Sequence, residues 1–221
     1  MMSSTTPAHD AARHAMVVSQ LRTSDVSDTR VVEAMAAVPR ERFVPGHDVL
    51  AYRDTLLPLP GGRMQNTPLA TGRLLTEAAI APGDKVLLIG AAAGYTAAVL
   101  ARLAAQVVAV ESDSVLAGLA RTALADVAGV TLIEGDLAAG HADGAPYDVL
   151  VVDGAVETLP ESLVDQLRPG GRIATGIVDR GVTRLASGVR TTGGHGLADF
   201  ADIDCAVLPG FARPRGFQFP G

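Results

Sequence analysis

The stretch from Lys85 to Leu100, KVLLIGAAAGYTAAVL, restricts the possible fold more than any other part of the chain. An apolar block, Val86 to Ile89, runs into Gly90-Ala91-Ala92-Ala93-Gly94 and then into a segment whose aliphatics recur at helical spacing. That order reads as a buried parallel strand, a tight turn and a helix start. Small residues let the backbone approach a ligand closely, and a helix start offers unpaired N–H groups and a favourable dipole to a polar or anionic group. Taken alone, the same turn also suits a tightly packed strand-to-helix connection that holds no ligand.

The chain around it repeats the pattern. Gln106 to Val110 reads as a short buried strand ending in Glu111, with a helix over 114–125. Val130 to Glu134 is a third strand, followed by Gly135-Asp136-Leu137, and Tyr147 to Val152 a fourth, ending in Asp153-Gly154-Ala155. A short helix over 163–167, a turn at Arg168-Pro169-Gly170-Gly171 and a fifth strand over 172–177 complete the series. Strands alternating with helices, with polar residues gathered at the strands' carboxyl ends, imply an α/β fold: a doubly wound, mostly parallel, Rossmann-like sheet with the ligand above those ends.

Upstream, residues 1–10 read as a loosely held lead-in. Helical spacing follows over 13–21, and Ser27-Asp28-Thr29 offers capping chemistry to a helix that Pro39 ends. The proline- and glycine-rich stretch from Leu57 to Pro68 reads as a long loop before a further helix over 69–80, and a loop of that length beside a ligand site is usually functional.

Glu111 lies 111 − 90 = 21 residues after Gly90, the spacing at which an acid accepts hydrogen bonds from ribose hydroxyls in nucleotide-binding β-α-β units. A dinucleotide fingerprint needs G-x-G-x-x-G, whereas here the glycines stand four apart with none between. A methyl-donor site needs only a small-residue turn, an acid for the ribose and a polar residue near the adenine. Gly90 to Gly94, Glu111 and Asp136 satisfy that order, although Gly-Asp at a strand end also reads as a plain turn.

Composition narrows the classes. A net charge of −6 argues against a nucleic-acid binder, and the longest charge-free apolar run, Val86 to Ala101, is too short and too rich in Gly and Ala for a membrane span. The start, MMSSTTPAHDAARHAM, lacks the apolar core of a secretion signal. The lone Cys205 fits a reducing cytoplasm and reads as a small buried hydrophobe. Five scattered histidines give no metal-ligand spacing.

These segments together resemble the protein-L-isoaspartate O-methyltransferases from about Met16 to Ile177. The carrying residues are MVVSQLR at 16–22, VPRERFVPG at 38–46, AYRDTLLPL at 51–59, IGAAAGYTAAVLA at 89–101, VESD at 110–113, EGD at 134–136, YDVLVVDGA at 147–155 and LPESLVDQLRPGGRI at 159–173. The resemblance implies one methyltransferase domain over 1–221, with N-terminal helices and a substrate loop over 1–80 and a cofactor-binding α/β core over 81–221. It implies S-adenosyl-L-methionine as cofactor, held by Gly90, Ala91, Ala92, Gly94, Tyr95, Glu111, Ser112, Asp136, Leu137 and Asp153. The implied acceptors are isoaspartyl-containing proteins or peptides, with Asn66 and Thr67 at the transfer and Gln65 and Pro68 lining the substrate side. Oligomeric state is left open between a monomer and a small homo-oligomer.

The chain departs from the family pattern at particular places. Leu88 stands where an acid usually meets the methionine end of the cofactor, Ala92 where a middle glycine is common, Asn66 where the substrate loop has serine, and Asp153 where a hydroxyl is more frequent. A carboxylate acceptor has a reference pKa near 3.9 and is ionised at neutral pH, so the transfer needs oriented donors rather than a base. Asn66 and Thr67 supply such donors. Two alternatives stand beside this reading. One is a methyltransferase with a changed acceptor, in which Asp153 acts as a base for a hydroxyl substrate or holds a metal. The other is a non-catalytic descendant binding a nucleoside or a partner through the tail aromatics Phe211, Phe217 and Phe219.

Overall fold

A computed structural model describes residues 7–213. The chain enters through α1 (Pro7–Met16), continues as a π-helical turn (Val17–Leu21), and reaches α2 (Thr29–Ala37). Asp28 caps α2 by accepting the Arg30 N–H at 2.8 Å, and the helix stops before Pro39 because a residue preceding proline avoids helical backbone. A small antiparallel hairpin follows, β1 (Leu57–Pro58) with β2 (Met64–Gln65), and leads into α3 (Pro68–Glu77). Thr67 caps α3, and Pro68 takes a first-turn position where its missing N–H costs nothing.

The remaining chain builds the sheet. In order it forms β3 (Lys85–Ile89), α4 (Tyr95–Leu100), β4 (Gln106–Glu111), α5 (Ser114–Ala123), β5 (Val130–Glu134), β6 (Tyr147–Val156), α6 (Glu161–Val164), β7 (Leu167–Asp179), β8 (Val182–Thr191) and β9 (Gly194–Ala201). The strand order is β5-β4-β3-β6-β7-β8-β9, parallel through β7 and antiparallel for the last two. The chain moves outward from β3 to β5 and then returns to lay β6 against the other side of β3. This reversal opens a crevice at the carboxyl ends of β3 and β6, where ligands of doubly wound sheets bind. Ile89 pairs with Val152, so Gly90 and Asp153 leave neighbouring strands side by side at that crevice.

Alternate strand residues feed two cores. Val86, Leu88, Val107, Ala109, Val149 and Val151 face the N-terminal helices, while Leu87, Ile89, Val108, Val110, Leu150 and Val152 face the side covered by Leu163 and Phe211. Near-continuous apolar strands are what burial on both faces requires.

Several sequence expectations need correction. Residues 7–10 are not a loose lead-in, since α1 begins at Pro7; residues 1–6 lie outside the described residues. The stretch 57–68 contains the β1–β2 hairpin, too short to carry a periodicity. The helix expected over 163–167 is shifted, because Leu167 already pairs with Tyr147 at the start of β7. The turn at 168–171 survives as a bulge inside that strand, between the pairs Tyr147–Leu167 and Val149–Arg172. The strands β8 and β9 carry no clear strand signal in the sequence, for VTRLASGVRT and GHGLADFA mix glycine and charge with few apolar residues. Phe211 is buried in the second core, while Phe217 and Phe219 lie outside the described residues. Cys205 is buried, as expected of a small hydrophobe, and burial pushes its thiol up to about 12. Among the described residues no helix is long and apolar enough to cross a membrane.

Candidate functional site

The turn after β3 is shaped by backbone conformations that its sequence permits at two of three places. Gly90 and Gly94 take φ of 81° and 102°, where an L side chain is strained, and Ala92 takes φ of 50°. Left-handed backbone costs a non-glycine residue on the order of 1 kcal/mol, so the alanine at the loop's centre is tolerated rather than favoured. Gly90 and Ala91 both donate to the Val110 carbonyl, at 3.0 and 3.1 Å, which ties the turn to the end of β4.

At that strand end Glu111 is fully buried and its carboxylate is crowded with donors. One oxygen accepts from Arg63 Nη1 at 2.6 Å and from the Ser112 and Asp113 N–H groups at 2.9 and 3.0 Å. The other accepts from the Ala92 N–H at 2.7 Å and Arg63 Nη2 at 3.4 Å. Arg63 arrives from the β1–β2 hairpin, whose tip lies across the loop: Leu59 packs on Ala92 and Leu116. Gly61 backs onto Asp113 so closely that a Cβ there would sit 2.2 Å from Asp113 Oδ2, at a φ of +69°. A buried acceptor-only carboxylate flanked by backbone donors suits a ribose diol, which would exchange with the two Arg63 contacts. The residues therefore fit an adenosyl group, with the hairpin tip giving way.

Just before α3, Asn66 is buried and uses both ends of its amide. Its Nδ2 donates to Asp153 Oδ1 at 2.8 Å, and its Oδ1 accepts the Ala206 N–H at 2.7 Å. Asp153 Oδ2 lies 2.5 Å from Thr96 Oγ1, in the first turn of α4. Behind this chain of contacts sits Arg40, with no exposed surface. Its Nε donates to the Ala51 carbonyl at 2.8 Å and its Nη2 to the Asn66 carbonyl, while the guanidinium lies 4.6 Å from the Tyr95 ring centroid. The segment Cys205–Leu208 closes the crevice from above: Ala155 donates to the Ala206 carbonyl at 2.7 Å, and Leu208 returns a bond to Ala155 at 2.9 Å.

Burial sets the charges here. It pushes the Asp153 carboxyl above the usual carboxylate range, against the donors Thr96 and Asn66 and the nearby Arg40 and Arg63. It lowers Arg40 and raises Tyr95. Arg63 Nε and Gln65 Oε1 are buried atoms without a hydrogen-bond partner among the described residues, while the buried Tyr95 hydroxyl and the Arg40 guanidinium interact with each other.

The expected residues thus fall into two groups. Gly90, Ala91, Ala92, Gly94 and Glu111 meet at the turn, with Ser112 exposed beside them and giving its N–H to Glu111. Asp136 is exposed, and its Oδ1 caps the following turn through the Ala138 N–H at 2.9 Å, while Leu137 points into the second core. Asn66 and Asp153 meet each other. Thr67 spends its hydroxyl oxygen on the Ala70 N–H at 3.0 Å, and Pro68 is buried in α3. Tyr95 packs edge-on against Phe43 at 5.8 Å under Arg40, and Leu88 is core. Sequence reasoning missed Arg63, Thr96, Arg40 and Ala206 as parts of the site. Arg40 stood inside the quoted VPRERFVPG element, but nothing in its local pattern says that it reaches Asn66.

Known proteins agree with this architecture. A family model described as protein-L-isoaspartate(D-aspartate) O-methyltransferase matches residues 12–194. A protein-L-isoaspartate O-methyltransferase of Koribacter versatilis is 44% identical over 169 residues, 75% of each chain. Its counterpart in Methylorubrum extorquens is 43% identical over 171 residues, 76% of this chain and 74% of the relative. A solved protein-L-isoaspartate O-methyltransferase superposes with a TM-score of 0.79 at 23% identity, covering 90% of this chain and 66% of that one. A Plasmodium falciparum β-aspartate methyltransferase candidate, solved in complex with S-adenosyl-L-homocysteine, gives 0.73 at 18% identity over 90% and 97% of the two chains. The match from the end of α1 through β8, together with these identities, means that the chain belongs to the protein-L-isoaspartate(D-aspartate) O-methyltransferase family.

Proposed function

We propose that this protein transfers the methyl group of S-adenosylmethionine to the free carboxylate of isoaspartyl residues in damaged proteins or peptides. The observation that carries the reading is the meeting, at one crevice, of the Gly90–Gly94 turn and Glu111 with an acceptor segment built on Asn66. When bound, the cofactor supplies a methyl carbon made electrophilic by its sulfonium. Gly90 to Gly94 and Glu111 would hold the adenosyl part, with the exposed Asp136 on the adenine side. The chain's own work is orientation: Arg40 fixes the Asn66 carbonyl, and Asp153 and Ala206 fix its amide. An acceptor carboxylate is already ionised near neutral pH, so no side chain has to remove a proton. Holding its oxygen about 3 Å from the methyl carbon, with water excluded, supplies most of the acceleration. The reading extends to the cytoplasm as the place of action, which the lone buried Cys205 supports.

Incubation with labelled S-adenosylmethionine tests it. Label is expected in an isoaspartyl peptide and not in the matching aspartyl peptide; equal or absent incorporation contradicts the assignment. Asn66→Ala, which removes the oriented amide, is expected to lower kcat by roughly tenfold to a hundredfold, the scale of a 1 Å misplacement.

A further inference from the structure

We propose that Asp153 is a positioning residue that works as a proton-bearing acid, bridging the cofactor-side helix and the acceptor segment so that Asn66 faces an anionic acceptor without a second negative charge beside it. The proposal rests on the carboxyl-methyltransferase reading and names how its acceptor site is set.

Geometry carries the argument. Asp153 ends up in the crevice between Thr96 of α4 and Asn66 and hydrogen-bonds both, beside Arg40, which also touches α4 at Tyr95 and holds the Asn66 carbonyl. Asp153 is 5% exposed and forms no ion pair within 4 Å among the described residues, whereas the fully buried Glu111 has Arg63. A buried carboxylate without a paired cation is costly, and such a group takes up a proton instead. The two contacts accommodate that proton. Oδ1 must accept, because the Asn66 oxygen is committed to the Ala206 N–H and the amide nitrogen can only donate. Oδ2 faces a hydroxyl at 2.5 Å, and a hydroxyl oxygen can accept from a carboxylic acid as readily as it donates to a carboxylate. The proton therefore has a place on Oδ2, between Asp153 and Thr96.

The surroundings pull in opposite directions, and burial prevails. Arg40 from the segment after α2 and Arg63 from the hairpin favour the ionised form, as do the Thr96 and Asn66 bonds. Burial outweighs them and raises the carboxyl, while Tyr95 on α4 and Cys205 of the closing segment are themselves pushed up by burial and by Asp153. A neutral Asp153 matters for the acceptor. An isoaspartyl carboxylate brought next to Asn66 meets a like charge if Asp153 is ionised, a repulsion that opposes binding and eases only in part as methyl transfer neutralises the acceptor. A hydroxyl acceptor makes the opposite demand, since it loses a proton on methylation and needs an ionised base.

Asp153→Asn tests the charge and Asp153→Ala the bridge. The asparagine keeps both contacts, accepting from Asn66 and donating to Thr96. With an isoaspartyl peptide, Asp153→Ala is expected to lower kcat at least tenfold with KM and S-adenosylhomocysteine affinity, measured by calorimetry, changed less than threefold. Asp153→Asn is expected to recover most of that loss and to lack the fall in kcat/KM expected of the wild type as pH rises through the Asp153 ionisation. Thermal unfolding gives an activity-independent readout. A carboxyl raised in the folded state contributes stability below its unfolded pKa, near 3.9, and loses it as pH rises toward its folded value. The Tm of Asp153→Asn should therefore gain on the wild type as pH rises above about 4. A constant Tm difference across that range overturns the protonated state. Asp153→Asn as inactive as Asp153→Ala overturns the proposal in favour of a required carboxylate, and wild-type kinetics in both variants removes the positioning role. A wild type that leaves isoaspartyl peptides unmodified speaks against the parent reading, while the unfolding experiment still decides the charge.

Discussion

Glu111→Ala is expected to abolish measurable S-adenosylhomocysteine binding and to destabilise the ligand-free protein at the same time. Two hydrogen bonds from ribose hydroxyls to a charged acceptor, each worth about 1.5–3 kcal/mol, correspond to an affinity loss of roughly a hundredfold or more. The stability effect has a different origin. Arg63 is 7% exposed and its carboxylate partner would be gone, as would the acceptor for the Ala92, Ser112 and Asp113 N–H groups. Breaking one side of a buried pair costs about 3 kcal/mol or more, which in a chain of this size lowers Tm by roughly 6–12 °C. The double variant Glu111→Ala/Arg63→Ala separates the two effects. Removing the stranded guanidinium should return much of the Tm, while binding stays lost because the acid is still missing. Calorimetry on both variants decides the matter: binding within threefold of wild type in either one would mean that Glu111 is not the ribose acid.

The same residue shows what was readable in advance. Glu111 announces itself by spacing, because a strand, a small-residue turn and a helix fix how far along the chain the next strand end falls. The central strands β3, β4 and β6 are legible for a similar reason, since burial on both faces writes continuous apolar runs. What failed to show were features made by distant partners. Arg63 and Glu111 stand 48 residues apart, Asn66 and Asp153 87, and Asn66 and Ala206 140. No local periodicity encodes such meetings. The antiparallel pair β8–β9 escaped because its strands are half exposed and carry few apolar residues. The departures became intelligible only in three dimensions. Asn66 and Asp153, each read from the sequence alone as a departure from the family pattern, are hydrogen-bonded to each other.

Arg40→Ala is expected to be among the most destabilising single substitutions in the chain. Buried charges are often poor stabilisers, and replacing one with a hydrophobe of similar size can be neutral when its partner is removed with it. Here the partners cannot be removed, for they are the main-chain carbonyls of Ala51 and Asn66, in residues with almost no exposed surface. Each carbonyl left without a donor costs about 1–3 kcal/mol, and the guanidinium over the Tyr95 ring contributes about 2 kcal/mol more when desolvated. The net expectation is about 4 kcal/mol after allowing for the relief of burying the cation. Arg40→Met fills the space without donating and should lose nearly as much. Arg40→Lys reaches only one of the two carbonyls and should lose about half. Activity should follow the Asn66 carbonyl rather than the charge: at a temperature where all variants remain folded, kcat falls roughly a hundredfold in Arg40→Met. The lysine variant regains activity only if its ammonium chooses Asn66 over Ala51. Urea unfolding and steady-state kinetics on the three variants give the answer. Methionine tolerated within 1 kcal/mol and threefold in kcat would show that the acceptor segment is held by Asp153 and Ala206 alone.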